Sequence, residues 1–186
     1  MIKSSISRSL QCCSRRSFIS IPNLSLDSCG HQKYVINKRL NHPVKLMYEI
    51  ISQVDKYEDF IPYCTNSFIE EKDPVTGQPS RAGLRVGFKQ FDERFVCDLK
   101  CVVEKQVIAQ SVTHSLFNHL YSEWNINPLK SDKQCEIQLI LKYDFKNNLY
   151  NKISSLFASK ISQIMLKAFE QRAIDIRKNN SLSQKL

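Results

Sequence analysis

The sequence predicts an α+β fold: one antiparallel sheet covered by a long C-terminal helix. Three observations predict it. Residues 147–178 carry apolar side chains at helical spacing, with no Pro or Gly to interrupt them. Most of the chain before them alternates apolar and polar with period two, the mark of a sheet with one wet face. The elements run strand, helix, six strands, long helix, which puts the helices on one side of a sheet of about seven strands.

The elements follow in order. Residues 1–26 precede the first acid, Asp27, and hold Lys3, Arg8, Arg15 and Arg16 among several serines. An acid-free, Arg- and Ser-rich start has the composition of a mitochondrial transit peptide; a plain disordered basic tail is the other reading. No 7–15-residue apolar core follows the first charges, which argues against a secretory signal. Residues 27–32 read as a linker, and the folded domain is expected over 33–178, with a disordered polar tail at 179–186. Lys33 to Leu40 (KYVINKRL) predicts a first strand. Asn41-His42-Pro43 then opens a helix, with Asn41 as its cap and Pro43 in its first turn. Val44, Met47, Ile50, Ile51 and Val54 keep helical spacing to about Asp55.

Tyr57 to Cys64 gathers three aromatics and Pro62 at a bend, because Pro62 forces Ile61 out of helical geometry. These aromatics either line an opening or plug the end of the core. Asn66 to Lys72 reads as a short strand, and residues 73–79 as a turn loop on Pro and Gly grounds. Leu84, Val86 and Phe88 share one face of the next strand; Phe95, Cys97, Leu99, Cys101 and Val103 share a face of the one after. Residues 106–114 form a strand by β-branched content. Leu120, Trp124 and Ile126, then the alternation from Cys135 to Phe145, complete a meander joined by hairpins. In the closing helix Leu149, Ile153, Phe157, Ile161, Met165 and Phe169 fall four apart, with Leu156, Ile164 and Ala168 beside them. Lys152, Ser155, Ser159, Gln163, Lys167 and Gln171 occupy the opposite face.

Composition excludes several function classes. The chain is 42% hydrophobic with a net charge of +9, and no run approaches the ~18 apolar residues of a membrane span. Seven Cys without a CxxC suggest no disulfide framework; Cys97 and Cys101 read as small core residues, not metal ligands. None of the four His falls in HExxH, and His114 and His119 flank a predicted turn. GxGxxG, GxxxxGK[ST] and GxSxG are all missing, and four glycines leave little for a phosphate-cradling loop. Acid pairs such as Glu58-Asp59 and Glu70-Glu71 sit at bends or strand ends. Lys89 and Arg94 lie near Phe88 and Phe91, but the inward parity of Phe88 speaks against base stacking, and no RNA-binding aromatic pattern occurs. No metal, resident cofactor or nucleic-acid partner is therefore expected. What remains is an excess of large inward apolar groups. A curved sheet gripping a helix either encloses a hydrophobic pocket or packs solid, and pattern alone leaves both open.

Particular residues sharpen this. They are Val54-x-x-Tyr57-x-x-Phe60-Ile61-Pro62-Tyr63-Cys64-x-x-Ser67, then Leu84-x-Val86-Gly87-Phe88. Further on come Leu116-Phe117, Leu120, Trp124 and Pro128, and finally Ala168-Phe169-Glu170-x-Arg172-Ala173. With the element order, they make residues 33–174 resemble the START-like helix-grip superfamily of polyketide cyclases and lipid-transfer domains. Within it, the chain is similar to the mitochondrial coenzyme Q-binding proteins. The loop 73–79 carries no matching motif.

The resemblance implies a non-enzymatic lipid binder holding ubiquinone or its biosynthetic intermediates between sheet and long helix. It implies support of respiratory electron transfer and quinone synthesis, peripheral to the matrix side of the mitochondrial inner membrane. Quinone-biosynthesis or respiratory complexes are the implied partners, and ubiquinone is a ligand, not a cofactor. The implied cavity wall is Tyr57, Phe60, Ile61, Pro62, Tyr63, Leu84, Val86, Phe88, Phe95, Trp124, Leu139, Leu141, Phe157, Ile161, Met165 and Phe169. Tyr57, Tyr63, Cys64 and Trp124 are the candidate contacts to the quinone ring, and the 57–63 bend is the candidate gate. Lys152, Lys160 and Lys167, with Arg172, Arg177 and Lys178, either attract anionic headgroups at ~1 kcal/mol each or merely keep the chain soluble. The rival readings are a cyclase-like enzyme using the same cavity, a ribosome- or RNA-associated interaction protein, and an assembly factor that binds a protein partner. The enzyme would need an inward acid–base pair, and the strand parities supply none.

Overall fold

An eight-stranded antiparallel sheet organises the chain, seen in a computed structural model that describes residues 23–29, 31–88, 91–113 and 117–183. Side chains are described for these residues except 23, 24, 88, 91 and 148–161. The strands are β1 (Asn23–Leu26), β2 (Gln32–Leu40), β3 (Cys64–Lys72), β4 (Pro79–Phe88), β5 (Phe91–Val102), β6 (Gln106–Ser111), β7 (Phe117–Pro128) and β8 (Cys135–Phe145). Their order is β1-β2-β8-β7-β6-β5-β4-β3, each pair antiparallel. Helix α1 (Val44–Ser52) and a 3-10 turn (Val54–Asp59) carry the chain from β2 to β3, near opposite edges of the sheet. Helix α2 (Asn148–Ser183) closes the fold.

The α+β class and the long final helix match expectation, with corrections at the boundaries. The sheet has eight strands, not seven: β1 lies inside the stretch expected to be leader, and β2 takes in Gln32 from the expected linker. Their turn is built on Asp27, whose carboxylate accepts the amides of Cys29 and His31, both at 2.9 Å. Asn41 does not cap α1. The capping residue is Pro43, with extended ψ of 147°, and Asn41 is too far upstream for its side chain to reach the first-turn amides. Its side-chain oxygen accepts from Gln134 instead, at 2.7 Å. The first helix ends at Ser52, short of Asp55, because Gln53 leaves helical geometry and the chain tightens into the 3-10 turn. β4 starts at Pro79, within the expected loop. The turn before it closes on Asp73, which accepts from the amides of Val75 and Thr76, and on Gly77 at φ +69°. Val103 leaves the inward row for the turn after β5. α2 continues through residues 179–183 of the expected disordered tail. At ~1.5 Å per residue it is roughly 54 Å long.

One face of the sheet is the core. Tyr34, Ile36, Lys38 and Leu40 alternate along β2, and Cys135, Ile137, Leu139 and Tyr143 answer them along β8. Met47, Ile50 and Ile51 of α1 pack onto one half of this face. The outer face is polar. There Gln106, Glu123, Asn125, Gln138 and Asn37 form a hydrogen-bonded row across β6, β7, β8 and β2. Also outside, the Phe68 ring lies over Gly83, where a Cβ would meet ring carbon at 2.2 Å, and the Arg94 guanidinium covers that ring.

The far end of α2 is tied to the start of α1. Arg177 donates to the Asn41 carbonyl at 2.8 Å and lies 3.4 Å from His42 Nδ1. Burial, then the Arg177 charge, push the His42 pKa down, against an opposing pull from Glu170. A folded-state pKa below the unfolded value of ~6.5 means that acid favours unfolding. This contribution is present above about pH 6.5 and is lost as pH falls through the lowered folded value. Thermal melts should therefore fall between pH 7 and 5, and more shallowly for His42→Gln. An identical pH slope in that variant would rule His42 out as the cause.

Candidate functional site

Phe169, 1% exposed, is the hub where α2 meets the body. Three rings surround it: Tyr57 at 5.2 Å and 86°, Phe60 at 5.3 Å and 83°, and Trp124 of β7 at 4.8 Å. The edge-on pairs with Tyr57 and Phe60 contribute about 0.5–1.5 kcal/mol each beyond their buried area. The Tyr57 hydroxyl donates to the Ile51 carbonyl at 2.5 Å, and burial pushes its pKa up. The bend carrying Tyr57 and Phe60 is stapled to β3 by reciprocal bonds. The Glu58 carboxylate accepts the Ser67 amide at 3.1 Å, and Ser67 Oγ accepts the Glu58 amide at 3.1 Å. Tyr57, Phe60 and Ile61 thus pack into the core cluster. Pro62 and Tyr63 are exposed; Tyr63 sits at φ +68°, and its carbonyl accepts the Gly87 amide. Cys64 is buried, with Sγ 3.4 Å from the Asn66 carbonyl and its pKa raised by burial.

A second cluster covers the other half of the inner face: Tyr34, Phe95, Cys97, Phe117 and Tyr143, with half-buried Leu84, Val86, Leu141 and Phe145. Every one of these residues lies on a strand. Phe95 and Phe117 meet edge to face at 5.6 Å, and the Tyr34 and Tyr143 rings stack at 6.2 Å. The Tyr143 hydroxyl donates to Gln32 at 2.9 Å. Leu84 and Leu99 belong to both clusters and join them. Of the expected wall, Leu84, Val86, Phe95 and Leu141 fall here, while Trp124 and Leu139 lie with Phe169. Phe88, Phe157 and Ile161 are outside the described side chains, as are Lys152 and Lys160; His114 and Leu116 are outside the described residues.

Among the described side chains of α2, the buried row is Ser162, Leu166, Phe169 and Ala173. The expected every-fourth-residue row drifts, because each step of four overshoots the turn by ~40°. Met165 is accordingly half-buried and Ile164 exposed, while Gln163, Lys167 and Gln171 face water as expected. Two ion pairs clasp this half of the helix. The Lys38 ammonium, 8% exposed as a residue, meets Glu170 at 2.6 Å. Arg172 lies 3.8 Å from Asp59 and over the Phe60 ring. Arg172 and Arg177 thus engage Asp59 and the Asn41 carbonyl within the fold. Ser162 differs from its neighbours. Its residue is 1% exposed, and its Oγ alone among the described buried side-chain N and O atoms has no hydrogen-bond partner. Leaving a buried hydroxyl unpaired costs ~1–3 kcal/mol.

The polyketide cyclase / dehydrase and lipid transport family model matches residues 40–170. The Coenzyme Q-binding protein COQ10, mitochondrial, of Eremothecium gossypii is 38% identical over 90% of this chain and 83% of its own length. Its Saccharomyces cerevisiae counterpart is 39% identical over 76% and 70%. The chain belongs to the coenzyme Q-binding protein family. A START superfamily protein from Mycobacterium smegmatis shares the fold, with a TM-score of 0.70 at 18% identity over 79% of this chain and 99% of that one.

The quinone-binding family sits in a superfamily that also contains cyclases, so the ionisable groups bear on chemistry. Lys38 and Glu170 engage each other across the sheet–helix boundary. Burial pushes the Cys97 thiol up to about 12 and the Cys135 thiol to about 11, which leaves both protonated at neutral pH. Asp27, Cys29 and His31 bring three possible metal-ligating atoms within 4.8 Å of one another. There His31 Nδ1 and Asp27 bond to each other at 3.2 Å, and the His31 ring stacks on His119 at 4.3 Å. A depression of about 500 Å³ lies on the outer face, lined by Glu70, Arg81, Arg94, Val96, Val112 and Thr113. Its arginines are paired with Glu70, Glu71 and Asp98, so it is charged and open, unlike a lipid site. No helix among the described residues is long and apolar enough to cross a membrane.

Sequence reasoning missed Tyr34, Lys38 and Ser162. Parity along β2 would have found the first two, since both share a face with Ile36 and Leu40. The signal for Ser162 was a polar residue four before Leu166 and seven before Phe169, on the same stripe.

Proposed function

We propose that this protein binds coenzyme Q or its biosynthetic intermediates between the inner face of the sheet and α2. It acts as a non-enzymatic lipid chaperone that supports respiratory electron transfer and ubiquinone synthesis. It works on the matrix side of the mitochondrial inner membrane. The observation that carries the reading is the 38–39% identity to proteins named coenzyme Q-binding, over most of the chain. The strand-built aromatic floor around Phe95, Phe117 and Tyr143 supports it, because an isoprenoid chain needs a wide apolar surface and few polar contacts. At ~0.8 kcal/mol per buried CH₂, the tail alone supplies most of the affinity. The acid-free leader composition and the relatives' mitochondrial naming support the location. Exposed Pro62 and Tyr63 and the cations Lys152, Lys160 and Lys167 are the proposed bilayer contacts.

The test is lipid extraction of the full chain purified from quinone-producing cells, read by mass spectrometry. A quinone or prenylated precursor approaching one per protein is expected. Recovery of neither a quinone nor any other isoprenoid would overturn the proposal.

A further inference from the structure

We propose that Ser162 is the hydrogen-bonding contact for the oxygenated head of the bound isoprenoid quinone, which fixes that head against α2; this rests on the function proposed above. Helical serines usually return their hydroxyl to a carbonyl one turn back, but Ser162 Oγ has no partner at all. It is also 1% exposed, so bulk water does not satisfy it. It lies on the sheet-facing stripe of α2, one turn before Leu166 of the cluster around Phe169. Other buried or half-buried polar groups of the core bond within the protein. Tyr57 bonds to Ile51, Lys38 to Glu170, and Tyr143 to Gln32. A buried hydroxyl kept unpaired in an apolar stripe is a place prepared for a guest atom. A hydroxyl both donates and accepts, so it can donate to a quinone carbonyl and accept from a quinol. The contact therefore distinguishes a chain with a head from one without, and serves both redox forms.

The test uses the full chain and two probes: a ubiquinone with two isoprene units, and a hydrocarbon of the same tail without the ring. Ser162→Ala should bind the quinone about tenfold more weakly, bind the hydrocarbon unchanged, and melt no lower than wild type. Equal quinone affinity in Ser162→Ala overturns the inference, as does an equal loss for both probes, which would mark a packing role. A wild type that binds neither probe overturns the proposed function and this contact together, a pattern distinct from the other two. Should Ser162→Ala fail to fold, Ser162→Cys, a weak donor of similar size, gives the same comparison.

Discussion

Phe169→Ala should lower folding stability by about 3–5 kcal/mol, the range for removing a fully buried aromatic side chain. The upper part of that range is expected, because two edge-on ring contacts and one tilted contact to Trp124 are lost at once. Those rings come from the 57–60 bend and from β7, so the deletion also loosens the joint between α2 and the body. Phe169→Leu should recover about half of the loss by refilling volume without restoring the ring geometry. Urea unfolding monitored by circular dichroism measures both. A loss below about 1 kcal/mol for the alanine variant would show that the joint does not depend on this residue.

Glu170→Ala is the second large effect, at about 3 kcal/mol, because it leaves the nearly buried Lys38 charge without its partner. The lower end of the range applies, since the Glu170 side chain is 29% exposed and water can partly replace it. The double variant Lys38→Met with Glu170→Leu should return to within about 1 kcal/mol of wild type, because apolar replacement removes the charge that needs a partner. A double-mutant cycle measures the coupling. Two single losses that simply add in the double variant would mean that the residues act independently.

These two sites show what the sequence made legible. The blocks Tyr57-x-x-Phe60 and Phe169-Glu170-x-Arg172 stand over a hundred residues apart, and the fold brings them together. Phe169 packs on Tyr57 and Phe60, and Arg172 reaches Asp59. The sheet was readable because its outer face is wet and period two survives on β2, β4, β5 and β8, though not on bulged β3. β1 was not, since four residues (NLSL) are too few to show a period, and they follow an acid-free segment. The buried stripe of α2 was misread by one column, because fixed steps of four do not follow a 3.6-residue turn. Lys38 stood on inward parity in plain view, but lysine is almost never buried without a partner, and its partner lies 132 residues away.

The strand order also sets a timetable for synthesis. β2 leaves its position beside β8 vacant until that strand emerges, and Leu40 waits for Cys135. At ~5–20 residues per second, those 95 residues take roughly 5–20 s, during which a hairpin with a greasy face stands open on one side. Contacts so distant along the chain also slow folding itself, into the millisecond-to-second range of high-contact-order domains. Until that last strand arrives, the unpaired edge of β2 is a template on which another chain can pair.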